Sequence, residues 1–203
     1  PFKTRVKNAA IQYASAYQKV YVGYEYLLCS DVFTEQAYYI IDAKADNYAH
    51  LLGVHLLIKP SAFYQKCIDQ TLDEGDFDFE KKNQSIKSVK GSVRRKLKAL
   101  PDMMKLFDSS FLVQETFVKN RVICSFATAD SKCTIGFIEA NKAKPKTLLK
   151  GNELCSNKMN QVELVLRKKS GEEKYSEIII GDEFALSKFK SVIEGMIDIS
   201  KTV

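Results

Sequence analysis

The hydrophobic pattern of this chain changes period once, near residue 107, and that change constrains the fold more than any other feature. Before it, apolar side chains recur three or four positions apart. Ile86, Val89, Val93, Leu97, Leu100 and Met104 form one stripe over 82–106, the spacing of an amphipathic helix. After it, "FLVQETFVKNRVICSFAT", "KCTIGFIEA", "NQVELVLRKK" and "KYSEIIIG" predict four or more strands of an antiparallel meander. A period of 3.6 cannot sit still in a strand, nor a period of two in a helix. The chain therefore predicts an α+β fold: a mainly helical N-terminal half (1–106) with one or two short strands, then a compact antiparallel sheet closed by a C-terminal helix (107–203).

Within the first half, Val6, Ala10, Tyr13, Tyr17, Val20, Tyr21 and Tyr24 predict a first helix over 5–28. "QAYYIIDA" reads as a strand. "DNYAHLLGVHLL", residues 46–57, follows as a helix that Asp46 or Asn47 can cap. Pro60 stops it, and "SAFYQKCIDQTLD" forms the next helix, ending at the acidic turn "EGDFDFE". Pro101 bends the helix over 82–106 or ends it early. "KKSGEEK" is a hairpin turn, and "EFALSKFKSVIEGMIDIS" the final helix. No internal repeat, low-complexity tract or linker interrupts the 203 residues, which with 45% apolar content suit a single domain over 1–203.

Several classes are excluded early. The longest apolar runs, "VHLLI" and "EIIIG", fall far short of the roughly 18 residues of a membrane span, and "PFKTRVKNAA" lacks the apolar stretch of a signal peptide. A soluble, cytoplasmic protein without a membrane partner is expected. Five widely spaced cysteines with no CxxC pair predict reduced, mostly buried thiols. A net charge of +6 permits an anionic partner without demanding one.

The chain has only two histidines, His50 and His55. On one helix they would lie about 140° apart and could not share an ion; no H-E-x-x-H or Cys/His cluster exists either, so no metal is expected. No G-x-S-x-G elbow or glycine-rich phosphate loop occurs. A histidine acting with cations remains, the arrangement of metal-independent ribonucleases: a base takes the ribose 2′-OH proton while fixed positive groups meet the charge on phosphorus. Asp46, one helical turn before His50, could hydrogen-bond the imidazole. The spacing fits equally a pair of half-buried helix histidines with satisfied ring nitrogens.

A second stretch, "EANKAKPKTLLKGN" (139–152), crowds Lys142, Lys144, Lys146 and Lys150 around Thr147. It can present ammonium groups and a hydroxyl to a phosphate, and its composition fits a solvated hairpin loop as well. On the helix over 82–106 the row Lys87, Lys90, Arg94 and Lys98, with Arg95 and Lys96 beside it, either tracks a nucleic-acid backbone or is the wet face of the helix.

Together "YLLCSDVF", "NYAHLLGV" and "IGFIEANKAKPKTLL" resemble a phage- and mobile-element-associated family of the barnase/EndoU/colicin/RelE-like (BECR) nuclease superfamily, from about residue 25 to 152. The resemblance implies helices before a compact antiparallel sheet, an active cleft on the sheet face, and metal-independent RNA cleavage, usually by a toxin or phage-conflict effector. Carried over by position, it implies His50, Lys146 and Thr147 as catalytic residues. Tyr48 accompanies the histidine and would stack on a base or orient the phosphate. Arg121, at the start of a predicted strand, is assigned to phosphate contact, beside Lys144, Lys150, Lys87 and Arg94. No cofactor is implied. RNA, including tRNA, is the expected partner, along with an immunity or antitoxin protein. Two alternatives stay open: a noncatalytic nucleic-acid- or protein-binding module of a phage or mobile element, and a phage structural accessory.

Overall fold

A computed structural model describes residues 1–139 and 141–198. In chain order the first half contains α1 (Phe2–Tyr17), β1 (Tyr24–Cys29), β2 (Tyr39–Ile41), α2 (Asn47–Leu52), β3 (His55–Leu56), α3 (Pro60–Ile68), β4 (Phe77–Asp78) and α4 (Ile86–Met103). The second contains β5 (Leu112–Lys119), β6 (Val122–Ala129), β7 (Cys133–Glu139), β8 (Ala143–Lys150), β9 (Asn160–Gln161), β10 (Leu164–Lys169), β11 (Glu177–Ile180) and α5 (Glu183–Ile193). The α+β reading holds, with helices first, a large and mostly antiparallel sheet, and a helix last.

The sheet has nine strands in the order β11-β10-β1-β2-β8-β7-β6-β5-β9. It departs from the expected meander, because β1 and β2 come from the helical half and sit between β10 and β8. The cause is visible in β1. Tyr26 and Leu28 face the main core, while Leu27 and Cys29 face a second cluster formed with Phe189 and Ile193 of α5. A strand buried on both faces belongs inside a sheet rather than at its edge. Among the described strands of this sheet, β2 and β8 pair in parallel through Ile41 and Ala143, reinforced by Asp42 N donating to Ala143 O at 2.9 Å.

Five predicted helices are longer than the real ones. The first ends at Tyr17, passes through a π-helical turn (Gln18–Val22) and breaks at Gly23, so residues 24–28 are strand. There, six ladder pairs with β10 outweigh a 3-4 spacing carried by tyrosines that also suit strands. The helix expected over 46–57 stops at Leu52, because Gly53 takes the left-handed conformation, φ +80°. His55 therefore lies on β3. Neither proposed cap acts: Asp46 makes no side-chain cap bond, and Asn47 Oδ1 accepts from Lys44 N at 2.8 Å, outside the helix. The next helix ends at Ile68 rather than Asp73. Pro101 stands inside α4, which ends two residues later at Met103. The predicted terminal helix runs only to Ile193, with a 3-10 turn to Met196, and its last residues lie outside the described ones.

Between helices and sheet the core is rich in tyrosine. Tyr17, Tyr21 and Tyr48 are fully buried, and each hydroxyl donates to a backbone carbonyl: Lys44 at 3.0 Å, Met103 at 2.7 Å and Ala10 at 2.8 Å. The rings bury apolar area while the hydroxyls bond backbone carbonyls, so a buried polar atom is never left unpaired at these three. This packing lays α2 and α4 against β8. Among the described residues no helix is long and apolar enough to cross a membrane.

Candidate nucleic-acid cleft

Five pieces of chain meet around a cleft of about 330 Å³. Its walls are the end of α2 (His50, Gly53), the turn before α4 (Lys81, Gln84), one face of α4 (Ser92, Lys96), the tip of the β5–β6 hairpin (Lys119, Asn120) and β8 (Lys146, Thr147). A smaller cavity of about 120 Å³ continues it along α4 and β8, adding Arg95, Lys150 and Glu153. His50, Lys146 and Thr147, separated by up to 97 positions in sequence, thus line one cleft.

Local chemistry explains how each side chain arrives. On α2, Tyr48, Ala49, Leu51 and Leu52 are buried, which leaves His50 exposed. Its imidazole has no hydrogen-bond partner among the described residues; the expected bond to the Asp46 carboxylate is not formed. The other histidine has the carboxylate instead, His55 Nδ1 lying 2.8 Å from Asp78 Oδ1, away from the cleft.

The lysine-rich stretch is a strand, β8, and not a loop. Opposite it on β7, Gly136 pairs with Thr147 but Phe137 pairs with Pro145, so Lys146 is the extra residue of a bulge. In a regular strand, neighbours point to opposite faces. The bulge re-aims one side chain, and Lys146 and Thr147 both line the cleft. Lys146 Nζ donates to Ile123 O at 3.0 Å. Beneath them, a Cβ on Gly136 would lie 2.5 Å from Cys124 Sγ and 2.9 Å from Thr147 Cγ2, so only glycine lets the two strands carry Thr147 at this height.

The hairpin tip turns on Asn120 and Arg121, both with positive φ (50° and 65°) between the paired residues Lys119 and Val122. This is the two-residue turn that matches strand twist. Asn120 lines the cleft, whereas Arg121 is exposed at the tip and precedes β6 rather than starting it.

The electrostatics are one-sided. Lys81, Lys96, Lys119, Lys146, Arg95 and Lys150 face a single carboxylate, Glu153. Lys119 holds that carboxylate at 2.5 Å, and the bond raises its own pKa. Lys96 has no carboxylate partner among the described residues. Burial, with a contribution from Lys81, pushes its pKa down to about 8; burial alone lowers that of Lys81. The stem of Lys96 crosses Gly53, where a Cβ would stand 2.7 Å from Cδ and 3.0 Å from Cε.

Of the other expected contacts, Lys150 lines the smaller cavity, and Lys144 is exposed on β8 outside both. Tyr48 needs correction: it is fully buried with its hydroxyl committed to Ala10 O, so no face is open to a base. The α4 row is likewise on the wrong face. Arg94 stacks on Phe2 and Lys90 on Phe79, Lys87 is exposed, and none of the three lines the cleft. Ser92 and Lys96 do, and Arg95 lines the smaller cavity. Sequence reading missed Lys81, Lys119 and Asn120 as cleft residues and named Lys96 only beside the helix row; the 3-4 spacing of Val89, Ser92 and Lys96 was the available signal.

Among the described residues no three His, Cys, Asp or Glu side chains come together to hold a metal ion. No curated protein and no solved structure matches the chain. Residues 11–183 match the family model described as phage-Barnase-EndoU-ColicinE5/D-RelE like nuclease4, and the chain belongs to that nuclease family.

Proposed function

We propose that the protein is a metal-independent endoribonuclease, acting in the cytoplasm as a toxin or phage-conflict effector. The observation that carries this reading is the convergence of an unpartnered imidazole, His50, with Lys146 and Thr147 in a cleft whose charge is almost wholly positive. In the proposed reaction His50 takes the proton of the ribose 2′-OH, and the freed oxygen attacks the adjacent phosphorus. Lys146 meets the charge that develops on the nonbridging oxygens, and Thr147 donates a hydrogen bond to one of them. The P–O5′ bond breaks, leaving a 2′,3′-cyclic phosphate and a 5′-OH. Arg95 and Lys150 extend the phosphate track beyond the scissile bond. An immunity or antitoxin protein that occludes this cleft is the partner such an effector requires.

The test is cleavage of a panel of tRNA, rRNA and mRNA in excess EDTA, with the product ends identified. Cleavage should persist and give cyclic phosphate ends. His50→Ala should lower the rate by about 10²-fold or more, the range for losing a general acid or base. His55→Ala and Asp46→Asn, which touch neither the cleft nor His50, should stay within about threefold of wild type. Cleavage that stops in EDTA and returns with Mg²⁺ would replace the mechanism; tight RNA binding without any cleavage would make the protein a binding module.

A further inference from the structure

The proton lost by the 2′-OH has an acceptor in His50, but the departing 5′ oxygen also needs a donor, and the cleft holds several ammonium groups. Their surroundings separate them. Lys119 is tied to Glu153 at 2.5 Å. Lys146 is exposed and spends a proton on Ile123 O at 3.0 Å. Lys150 and Arg95 lie only in the outer cavity. Lys81 and Lys96 have no side-chain partner among the described residues, but Lys81 lines only the larger cavity, whereas Lys96 lines both and is held by its stem against Gly53, three residues after His50 on the same chain segment.

Resting on the endoribonuclease reading, we propose that Lys96 is a catalytic residue, the general acid that protonates the 5′ oxygen as the P–O5′ bond breaks. Gly53 is what makes the placement possible: its left-handed φ and missing Cβ let the Lys96 stem pass within van der Waals reach of the helix end that carries His50. The step balances. His50 gains the 2′-OH proton and becomes imidazolium, the P–O2′ bond forms, the P–O5′ bond breaks, and Lys96 gives one ammonium proton to the leaving oxygen and becomes the neutral amine. Exchange with solvent returns both groups to their starting states.

The environment suits that task. Lys81 from the turn before α4, Arg95 from α4 itself, and Lys146 and Lys150 from β8 all add positive potential around Lys96, and His50 from α2 adds more once protonated. Among the described residues lining the two cavities, Glu153 is the one carboxylate, already held by Lys119. Burial and Lys81 lower the Lys96 pKa to about 8, so at neutral pH the group is mostly protonated yet gives its proton up more readily than an ordinary lysine.

Two substrates separate this role from a structural or binding one: an RNA with a normal scissile 5′ oxygen and the same RNA with sulfur in that position. A thiolate leaves without protonation, being far less basic than an alkoxide. On the oxygen substrate Lys96→Ala should lower the single-turnover rate by about 10²-fold or more. On the sulfur substrate the loss should shrink to within about fivefold, while His50→Ala remains impaired on both. Lys96→Arg keeps the charge but cannot titrate in this range; it should remove the fall in rate that wild type shows above about pH 8, and it carries the test if Lys96→Ala does not fold. Equal losses for Lys96→Ala on the two substrates, or a Lys96→Arg profile identical to wild type, overturn the assignment and leave the nuclease reading intact. A wild type that cuts neither substrate overturns both.

Discussion

Glu115 on β5 accepts from Thr34 N at 2.7 Å, Thr34 Oγ1 at 3.1 Å, Glu35 N at 3.2 Å and Tyr39 Oη at 2.7 Å. Burial by itself would raise its pKa; the bonds from Thr34, Tyr39 and Glu35 outweigh it and hold the carboxyl below the usual glutamate range. A carboxylate with a folded pKa below its unfolded one adds stability that is fully present above the unfolded value, near 4.5, and is lost as pH falls through the folded value. Glu115→Gln should therefore cost about 1.5 to 3 kcal/mol at pH 7, and the gap from wild type should narrow toward pH 3. Urea unfolding at the two pH values measures it; a gap that stays constant would show that the charge of Glu115 does not matter.

At the scale of the element, two features of the sheet shape the cleft. Gly136 leaves room for Cys124 Sγ and Thr147 Cγ2 at 2.5 and 2.9 Å from where a Cβ would stand. Gly136→Ala should overpack this point and destabilise by about 1 to 3 kcal/mol. By displacing Thr147 it should also lower the cleavage rate more than RNA affinity. An alanine variant as stable as wild type would mean the strands yield freely there. The Asn120–Arg121 turn makes a second case. Arg121 sits at φ 65°, where a side chain is strained and glycine is not. Arg121→Gly should stabilise the protein by about 0.5 to 1 kcal/mol despite removing a charge, read as a raised denaturation midpoint. If RNA affinity falls at the same time, the strain holds Arg121 at the hairpin tip for a phosphate contact.

Across the whole molecule, the positive groups are unevenly useful to a polyanion. Arg95 and Lys150 continue the cleft, whereas Lys87 stands on another face of α4. Each phosphate neutralised on single-stranded RNA adds about 0.7 to the slope of log K against log salt. Arg95→Ala and Lys150→Ala should each flatten that slope by about 0.7, and Lys87→Ala should leave it unchanged. Binding curves at several salt concentrations decide; equal flattening by all three would mean RNA is held by general charge and not along this track.

The sequence by itself determined the class of fold, the location of the helical and sheet halves, and the two segments that carry His50 and the Lys146–Thr147 pair. These are written in local periodicity and in residue types, which a linear reading can reach. It could not determine where β1 belongs, because a tyrosine-rich segment suits either helix or strand until the main core and α5 bury its two faces. Nor could it tell which face of α4 meets the cleft: Arg94 and Lys96 are two positions apart and alike in chemistry, and only the packing of α4 against Phe2 on one side and β8 on the other separates them. Tyr48 shows the same limit from the opposite direction, a polar aromatic whose hydroxyl has a use inside the core. Whether two strand neighbours can share a face depended on a one-residue slip opposite Gly136, and whether Lys96 can lie beside the helix of His50 depended on a glycine 43 positions earlier. Such relations are made by tertiary contacts between distant segments, and the sequence carries their residues without their meeting.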